Sequence, residues 1–127
     1  MNYIYSPEQE RLREKVRRFA EQCITPEALE YDHRGNYPLA TIQKMGREGF
    51  FAPILPKEYG GLGLRTLEYG LITQEIAAAS PAYTHNGQFQ TQKGILSFGT
   101  PEQKSMYLPK LATAEAIGAI AISEHNV

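Results

Sequence analysis

The pattern Ser/Thr-Pro-Glu-Gln occurs twice in the chain, at residues 6–9 and again at residues 100–103. A Ser or Thr hydroxyl in this pattern can accept a hydrogen bond from the third helical amide, and the Gln can return one to the cap. Proline suits the first helical position. We therefore expect a capped helix to begin at each site.

The helix that follows the first cap has an apolar face. Apolar residues recur there at spacings of four, three and four, which is typical of one helix face: Leu12, Val16, Phe19 and Cys23.

The residues between this helix and the second cap predict four further helices, each with an apolar face or a capping signal. Thr25-Pro26 is expected to cap a second helix that ends near Gly35, and Pro38 to open a third that Gly49 closes. The third helix should bury Ile42, Met45 and Gly46. Thr66 is expected to cap a fourth helix, with a stripe of Leu67, Leu71, Ile72, Ile76 and Ala79. Ser80-Pro81 should begin a fifth that runs to Phe98, and the sixth should stop near residues 109–111.

Two non-helical connections complete this scheme. Residues 50–55 are apolar but contain a proline, so we expect a buried, extended connection followed by a loop over residues 56–64. Thirteen of the fourteen acidic residues are Glu, which favours helix interiors more than Asp does. The chain is therefore predicted to be all-α, an antiparallel-type bundle of about six helices.

The segment from Ile117 to Ile122 differs from the rest because it is rich in β-branched residues, and it predicts a short strand. One strand cannot satisfy its own backbone groups. We therefore expect residues 1–112 to form a helical domain, and residues 113–127 to begin a β-domain that continues beyond this sequence. A frayed tail and pairing between chains stay open as alternatives.

Composition excludes several classes of protein. Thirteen Lys plus Arg against fourteen Asp plus Glu give a net charge of -1, so no nucleic-acid partner is expected. The single cysteine, Cys23, excludes an internal disulfide framework. No apolar run follows Met1, and the longest apolar stretch, residues 116–122, is too short for a membrane span. A cytoplasmic location is expected.

The motifs that could bind phosphate or metal are weak. The glycines at positions 60, 61 and 63 lack the Lys that a phosphate loop requires, and Thr66 stands where a dinucleotide fingerprint needs its third glycine. Three histidines, His33, His85 and His125, do not have the spacing of a helical metal site. We expect no bound metal.

The fifth helix carries an unusual polar and aromatic stripe. Five residues share one side of this helix by their spacing: Tyr83, Asn86, Gln90, Lys93 and Ser97. The stripe could be a solvated face. It could equally be the wall of a polar cavity, because Asn and Gln can bind a ligand and Tyr adds rigid apolar area.

Taken in order, several segments of this chain resemble the acyl-CoA dehydrogenases. The similar segments are the glycine-containing loop 56–64, residues 72–77, residues 98–104, residues 107–112 and residues 121–124. The resemblance covers nearly all of residues 6–126. It implies the N-terminal helical domain of a three-domain enzyme and the opening strand of the middle β-domain.

The same resemblance implies a function for the whole enzyme. The family oxidises acyl-CoA to 2-enoyl-CoA with FAD, and its glutamate base lies in the C-terminal domain, so no residue of this chain is assigned a catalytic role. It implies flavin contacts at Ile120, Ile122 and Ser123. It also implies an acyl pocket lined by the fifth helix, at Ala82, Tyr83, Asn86, Gly87 and Gln90.

The family also implies partners, and two other classes of function stay open. The expected partners are acyl-CoA, an electron-transfer flavoprotein or similar acceptor, and further copies of the chain in a homotetramer. The alternatives are a relative on the same scaffold, such as a flavin monooxygenase, an oxidase or an assembly partner, and a helical interaction module without a cofactor. The polar groups predicted in the pocket favour a short, polar, cyclic or aromatic acyl group.

Overall fold

The structure is a computed structural model, and it describes residues 5–84 and 86–123 of the chain. His85 and His125, two of the histidines considered above, lie outside the described residues. Six α-helices account for most of the described chain, and they are α1 Pro7–Phe19, α2 Thr25–Arg34, α3 Leu39–Arg47, α4 Thr66–Ala79, α5 Asn86–Phe98 and α6 Pro101–Ala112. The predicted all-α bundle is therefore confirmed.

The two capping boxes predicted from the repeated motif are both present. At the start of α1, the Ser6 hydroxyl accepts from the Gln9 amide at 3.2 Å, and the Gln9 side chain accepts from the Ser6 amide at 2.9 Å. At the start of α6 the corresponding distances for Thr100 and Gln103 are 3.3 and 2.8 Å. Each box satisfies amides that the first helical turn would otherwise leave without partners.

Two other predicted caps are wrong. α1 and α2 are joined by a π-helical segment, Ala20–Ile24, and the Thr25 amide donates to the Ala20 carbonyl, so no capped start exists there. Continuing the helix keeps Val16, Ala20 and Ile24 buried on one side. At α4 the N-cap residue is Arg65, and Thr66 is already the first helical residue.

The connection between α3 and α4 is buried as predicted, but it is a series of turns and not an extended strand. The Phe50 amide donates to the Met45 carbonyl at 2.9 Å, and the Leu55 amide donates to the Ala52 carbonyl at 3.3 Å. A buried backbone needs partners, and local turns provide them without a neighbouring strand. Residues 57–59 add one 3-10 turn.

The core has two parts. The larger cluster joins α1, α3 and α4 and includes Val16, Ile42 and Ile72, and the smaller one joins the α3–α4 connection to α6 through Leu55 and Leu108. On α4 the predicted stripe holds at Leu71, Ile72 and Ile76, but Leu67 is 53% exposed.

α1 and α4 are linked by a carboxylate held between two arginines. The Glu75 side chain is only 6% exposed, and it accepts from the Arg17 guanidinium at 2.9 and 3.1 Å and from Arg13 at 3.2 Å. Hydrogen bonds from Arg17, reinforced by the charges of Arg17 and Arg13, lower the pKa of Glu75 below its ordinary value of 4.5. Gln9 near the start of α1 bonds Glu68 near the start of α4 at 2.9 Å, so these two helices run in the same direction.

The short strand predicted over residues 117–122 is absent from the described part of the chain. Residues 117–123 have no regular secondary structure. A strand needs a partner for its ladder bonds, and α5, the element beside this segment, cannot provide one. α6 ends at Ala112, where the helical domain is predicted to end, and the domain division itself stays a prediction.

Candidate functional site

α5 has an exposed polar face and a buried polar face. Gln90, Lys93 and Ser97 are exposed, as a solvated or ligand-facing stripe requires. On the opposite side, Gln88 and Gln92 are 2% and 1% exposed. The helix therefore separates polar groups that can meet a ligand from polar groups that bind the protein's own backbone.

The predicted pocket residue Tyr83 lies in the core and not on the exposed stripe. It is 2% exposed and forms part of a 3-10 turn before α5, Pro81–Tyr83. Its hydroxyl donates to a Glu27 carboxylate oxygen on α2 at 3.0 Å. Burial, and then the hydrogen bond to Glu27, raise the pKa of Tyr83 above its ordinary value of 10.

Of the other predicted pocket residues, Ala82, Gly87 and Gln90 lie on or near the surface. Ala82 and Gln90 are exposed, and Gly87 is half-buried in the first turns of α5. Ala82 borders an open groove of about 740 Å³ between α2 and the turn before α5. Asn86 is the first residue of α5. Three of these residues, Asn86, Gly87 and Gln90, therefore share the N-terminal half of one helix.

The segment that follows α6 crosses the face of α5. The Gly118 amide donates to the Gln88 side-chain oxygen at 2.5 Å. A Cβ built on Gly87 would lie 3.6 Å from the Ala119 Cα and 3.7 Å from the Ile120 nitrogen. The structure thus brings Gly87, predicted to line the pocket, beside Ile120, predicted to contact the flavin.

The residues beyond this crossing fit a flavin by their chemistry. Ile120 and Ile122 are 43% and 78% exposed, and Ser123 is exposed as well. Exposed isoleucines offer an apolar surface to a planar ring, and the serine hydroxyl and backbone amides can hydrogen-bond its polar edge. These groups would hold the ring, and they carry no acid or base.

Gln88 and Gln92 are not among the site residues predicted from the sequence. Their spacing does carry a signal, because Gln88, Gln92 and Ile95 follow at intervals of four and three and so share a face with an apolar residue. The Gln92 amide donates to the carbonyls of Phe51 at 3.2 Å and Leu111 at 3.3 Å. The two glutamines link α5 to three separate backbone segments.

The described residues show neither a metal-binding cluster nor a membrane-spanning helix. Among residues 5–84 and 86–123, no cluster of three or more His, Cys, Asp or Glu side chains is arranged to hold a metal ion. Within the same ranges, every helix is too short or too polar to cross a membrane.

Known proteins that are similar to this chain belong to the family that its sequence segments resemble. The family model for the acyl-CoA dehydrogenase N-terminal domain matches residues 6–115. A probable acyl-CoA dehydrogenase of Bacillus subtilis is 35% identical over 129 residues, covering 99% of this chain and 34% of that protein. An acryloyl-CoA reductase (NADH) of Anaerotignum propionicum is 35% identical over 131 residues, covering 99% of this chain and 32% of that protein.

A solved structure gives the same answer for the fold. The glutaryl-coenzyme A dehydrogenase complex with glutaryl-CoA superposes with a TM-score of 0.84 and 33% sequence identity, covering 93% of this chain and 31% of that one. The chain therefore spans about a third of the length of these relatives.

Proposed function

The chain belongs to the acyl-CoA dehydrogenase family, whose N-terminal helical domain it carries, and we propose that the complete gene product oxidises acyl-CoA thioesters to 2-enoyl-CoA with FAD. The observation that carries this proposal is the contact between the two predicted parts of the site. Gly87 on α5 lies against residues 118–120, which include Ile120, the first of the predicted flavin contacts. A substrate wall and a cofactor surface that meet in this way are what such an enzyme requires.

This chain's own share of the work is binding and positioning. Ile120 and Ile122 would cover the flavin ring with apolar surface, and Ser123 would hydrogen-bond its polar edge. FAD, when bound, supplies the electron sink of the oxidation. Removal of the α proton is assigned to a glutamate of another domain, by family resemblance.

The acyl pocket is proposed to use the exposed side of α5 and the turn before it. Ala82, Asn86, Gly87 and Gln90 would line it, and Tyr83 would support the turn from the core through its bond to Glu27. The two amide side chains favour a short or polar acyl group over a long alkyl chain.

The remaining expectations about the whole enzyme are also proposals. We propose an electron-transfer flavoprotein or similar acceptor as the redox partner, and a homotetramer as the assembly. A cytoplasmic location suits the single half-buried cysteine, Cys23.

A second candidate function is the same redox chemistry in the direction of reduction. The acryloyl-CoA reductase of Anaerotignum propionicum is as similar to this chain as the Bacillus dehydrogenase is, at 35% identity. The proposed positioning roles of α5 and of residues 118–123 would serve either direction.

The experiment uses the complete gene product that contains this chain. We expect a visible flavin spectrum after purification, and bleaching of that spectrum on anaerobic addition of a short-chain acyl-CoA. Bleaching by NADH, with reoxidation by an enoyl-CoA, would favour the reductase. A protein that binds no flavin would contradict both functions and favour a helical interaction module.

The 127-residue chain alone is expected not to retain FAD. Ser123 and nearby amides offer a few hydrogen bonds, each worth about 1 kcal/mol net. Micromolar binding requires about 8 kcal/mol. Gel filtration of the chain with added FAD checks this, and stoichiometric flavin in the protein peak would mean that the helices build the cofactor site themselves.

A further inference from the structure

Gln88 makes a two-ended clamp with the backbone around the end of α6. Its side-chain amide donates to the Leu111 carbonyl at 2.6 Å, and its side-chain oxygen accepts from the Gly118 amide at 2.5 Å. The side chain is buried within the protein. A carboxamide carries both a donor and an acceptor, so it can satisfy both backbone groups at once, which neither a carboxylate nor an apolar side chain can do.

The chain between the two clamped residues follows a defined path. Ala114 is 1% exposed and adopts a left-handed backbone with φ of 60°, and the Ala116 amide donates to the Lys110 carbonyl at 3.0 Å. A non-glycine residue keeps such a backbone only where its surroundings determine it. The turn at residues 114–116 therefore determines where Gly118 contacts α5.

The contact at Gly118 also fixes the register. A Cβ added there would lie 2.6 Å from the Thr91 side chain. A shift of the segment by one residue would put Ile117 or Ala119 at this point, and each has the Cβ that the site excludes. The segment can cross α5 closely only with Gly118 at the crossing.

We propose that Gln88 is a positioning residue, which holds residues 118–123 in one register along α5 and so sets where Ile120, Ile122 and Ser123 meet the flavin. This inference rests on the proposed function. Ile120 is two residues beyond the clamped amide, at most about 7 Å of chain. The clamp thereby sets the distance between the flavin surface and the proposed pocket wall, which lies on α5 as Gln88 does.

Gln92 provides a matched control for this role. It has the same side chain, lies one helical turn from Gln88, is equally buried and also donates to the Leu111 carbonyl. Its other bond reaches Phe51 and not the segment after α6. Gln88→Met and Gln92→Met therefore both remove a buried amide, but only the first releases Gly118.

The first measurement is amide hydrogen exchange of Gly118 in the 127-residue chain, which requires no cofactor. Gln88→Met is expected to speed this exchange about tenfold, and Gln92→Met is expected to leave it within about twofold of the wild type. Equal acceleration by both substitutions would overturn the clamp.

The second measurement is the dissociation constant of FAD from the complete gene product. Gln88→Met is expected to weaken FAD binding about fivefold relative to Gln92→Met and to shift the flavin absorption bands. Should Gln88→Met fail to fold, Gly118→Ala tests the same contact, because its Cβ would push the segment off Thr91. It too is expected to weaken FAD binding about fivefold.

The two measurements separate the possible failures. Faster exchange of Gly118 with unchanged FAD affinity and spectrum would overturn the positioning role while leaving the proposed function intact. A wild-type gene product without flavin would overturn the proposed function and this role together, and the exchange result would still decide whether the clamp exists.

Discussion

The α1–α4 junction and the α5–α6 junction are closed by different chemistry. At the first, the Glu75 carboxylate bridges two guanidiniums, and at the second, the neutral amides of Gln88 and Gln92 bind backbone carbonyls. The charged partners keep contact with water, since Arg13 and Arg17 are 19% and 51% exposed. The glutamines are almost wholly buried.

The difference follows from the cost of burying charge. When an ion pair is moved entirely out of water, the loss of hydration free energy exceeds the gain from the attraction between the charges, unless the geometry of the pair is excellent. A neutral amide has a smaller desolvation cost and needs only hydrogen-bond partners. The charged junction should therefore respond to pH, while the amide junction should not. The amide junction is also the one beside the predicted flavin segment.

The largest expected effect comes from the close contact between α3 and the residue that follows α6. A Cβ at Gly46 on α3 would collide with the backbone carbonyl of Thr113, just after α6. Because this neighbour is backbone, Gly46→Ala is expected to destabilise the chain by about 3 kcal/mol. Urea unfolding measures the change.

Gly70→Ala on α4 is the control for that substitution. Apart from the neighbouring backbone of α4 itself, no atom of the described residues lies within 4 Å of a Cβ built there, so alanine should stabilise the helix by about 0.5 kcal/mol. Similar losses of stability from both substitutions would mean that the close contact of α3 with Thr113 is not the cause of the effect.

The charged junction predicts an effect of intermediate size that depends on pH. Glu75→Gln should cost about 2 kcal/mol at pH 7, because Arg13 and Arg17 lose their charged partner but can still reach solvent. The folded-state pKa of Glu75 is lowered below its ordinary value of 4.5. The contribution of Glu75 to the free energy of unfolding is therefore complete above pH 4.5 and is lost as pH falls through the folded-state pKa.

The difference in stability between wild type and Glu75→Gln should therefore shrink below pH 4.5. Urea unfolding at a series of pH values between neutral and acid conditions checks the trend. A difference that stays constant down to the lowest pH at which both proteins fold would argue against the ion pair as the source of the effect.

The amide junction predicts a smaller effect without this pH dependence. Gln92→Met should cost about 1.5 kcal/mol, because the Phe51 and Leu111 carbonyls lose a donor in a buried place. No group in the contact titrates, so the same loss is expected at neutral and acid pH. A loss that falls with pH in parallel with that of Glu75→Gln would show that the two junctions are coupled.

What the sequence predicts well is local. The predictions of caps at Ser6 and Thr100 are correct. In each cap the donor and the acceptor lie three residues apart, so the two hydrogen bonds require no contact with a distant part of the chain. The same reasoning fails at Thr25, where the cap competes with a continuous helix. There the packing of Ala20 and Ile24 into the core prevails.

The candidate site is harder because its contacts are remote. The partners of Gln88 and Gln92 lie 19 to 41 residues away in sequence, so the spacing along α5 can place both amides on the face of Ile95 but cannot reveal which backbone groups they bind. Tyr83 is included in the predicted stripe by its spacing, yet it belongs to a separate turn whose side chain enters the core. Helical periodicity applies only within one helix.

The smallest expected effects compare the two capping boxes. Thr100→Ala should cost about 1 kcal/mol, because Thr100 joins α5 to α6 and its loss loosens a junction inside the fold. Ser6→Ala should cost about 0.5 kcal/mol, since the first turn of α1 can fray locally without opening the rest of the molecule. Ser105→Ala is the control: its hydroxyl binds the Pro101 carbonyl within α6, so alanine should be neutral or slightly stabilising. Urea unfolding of the three variants decides the order, and an unchanged stability for Thr100→Ala would mean that α6 begins without help from its cap.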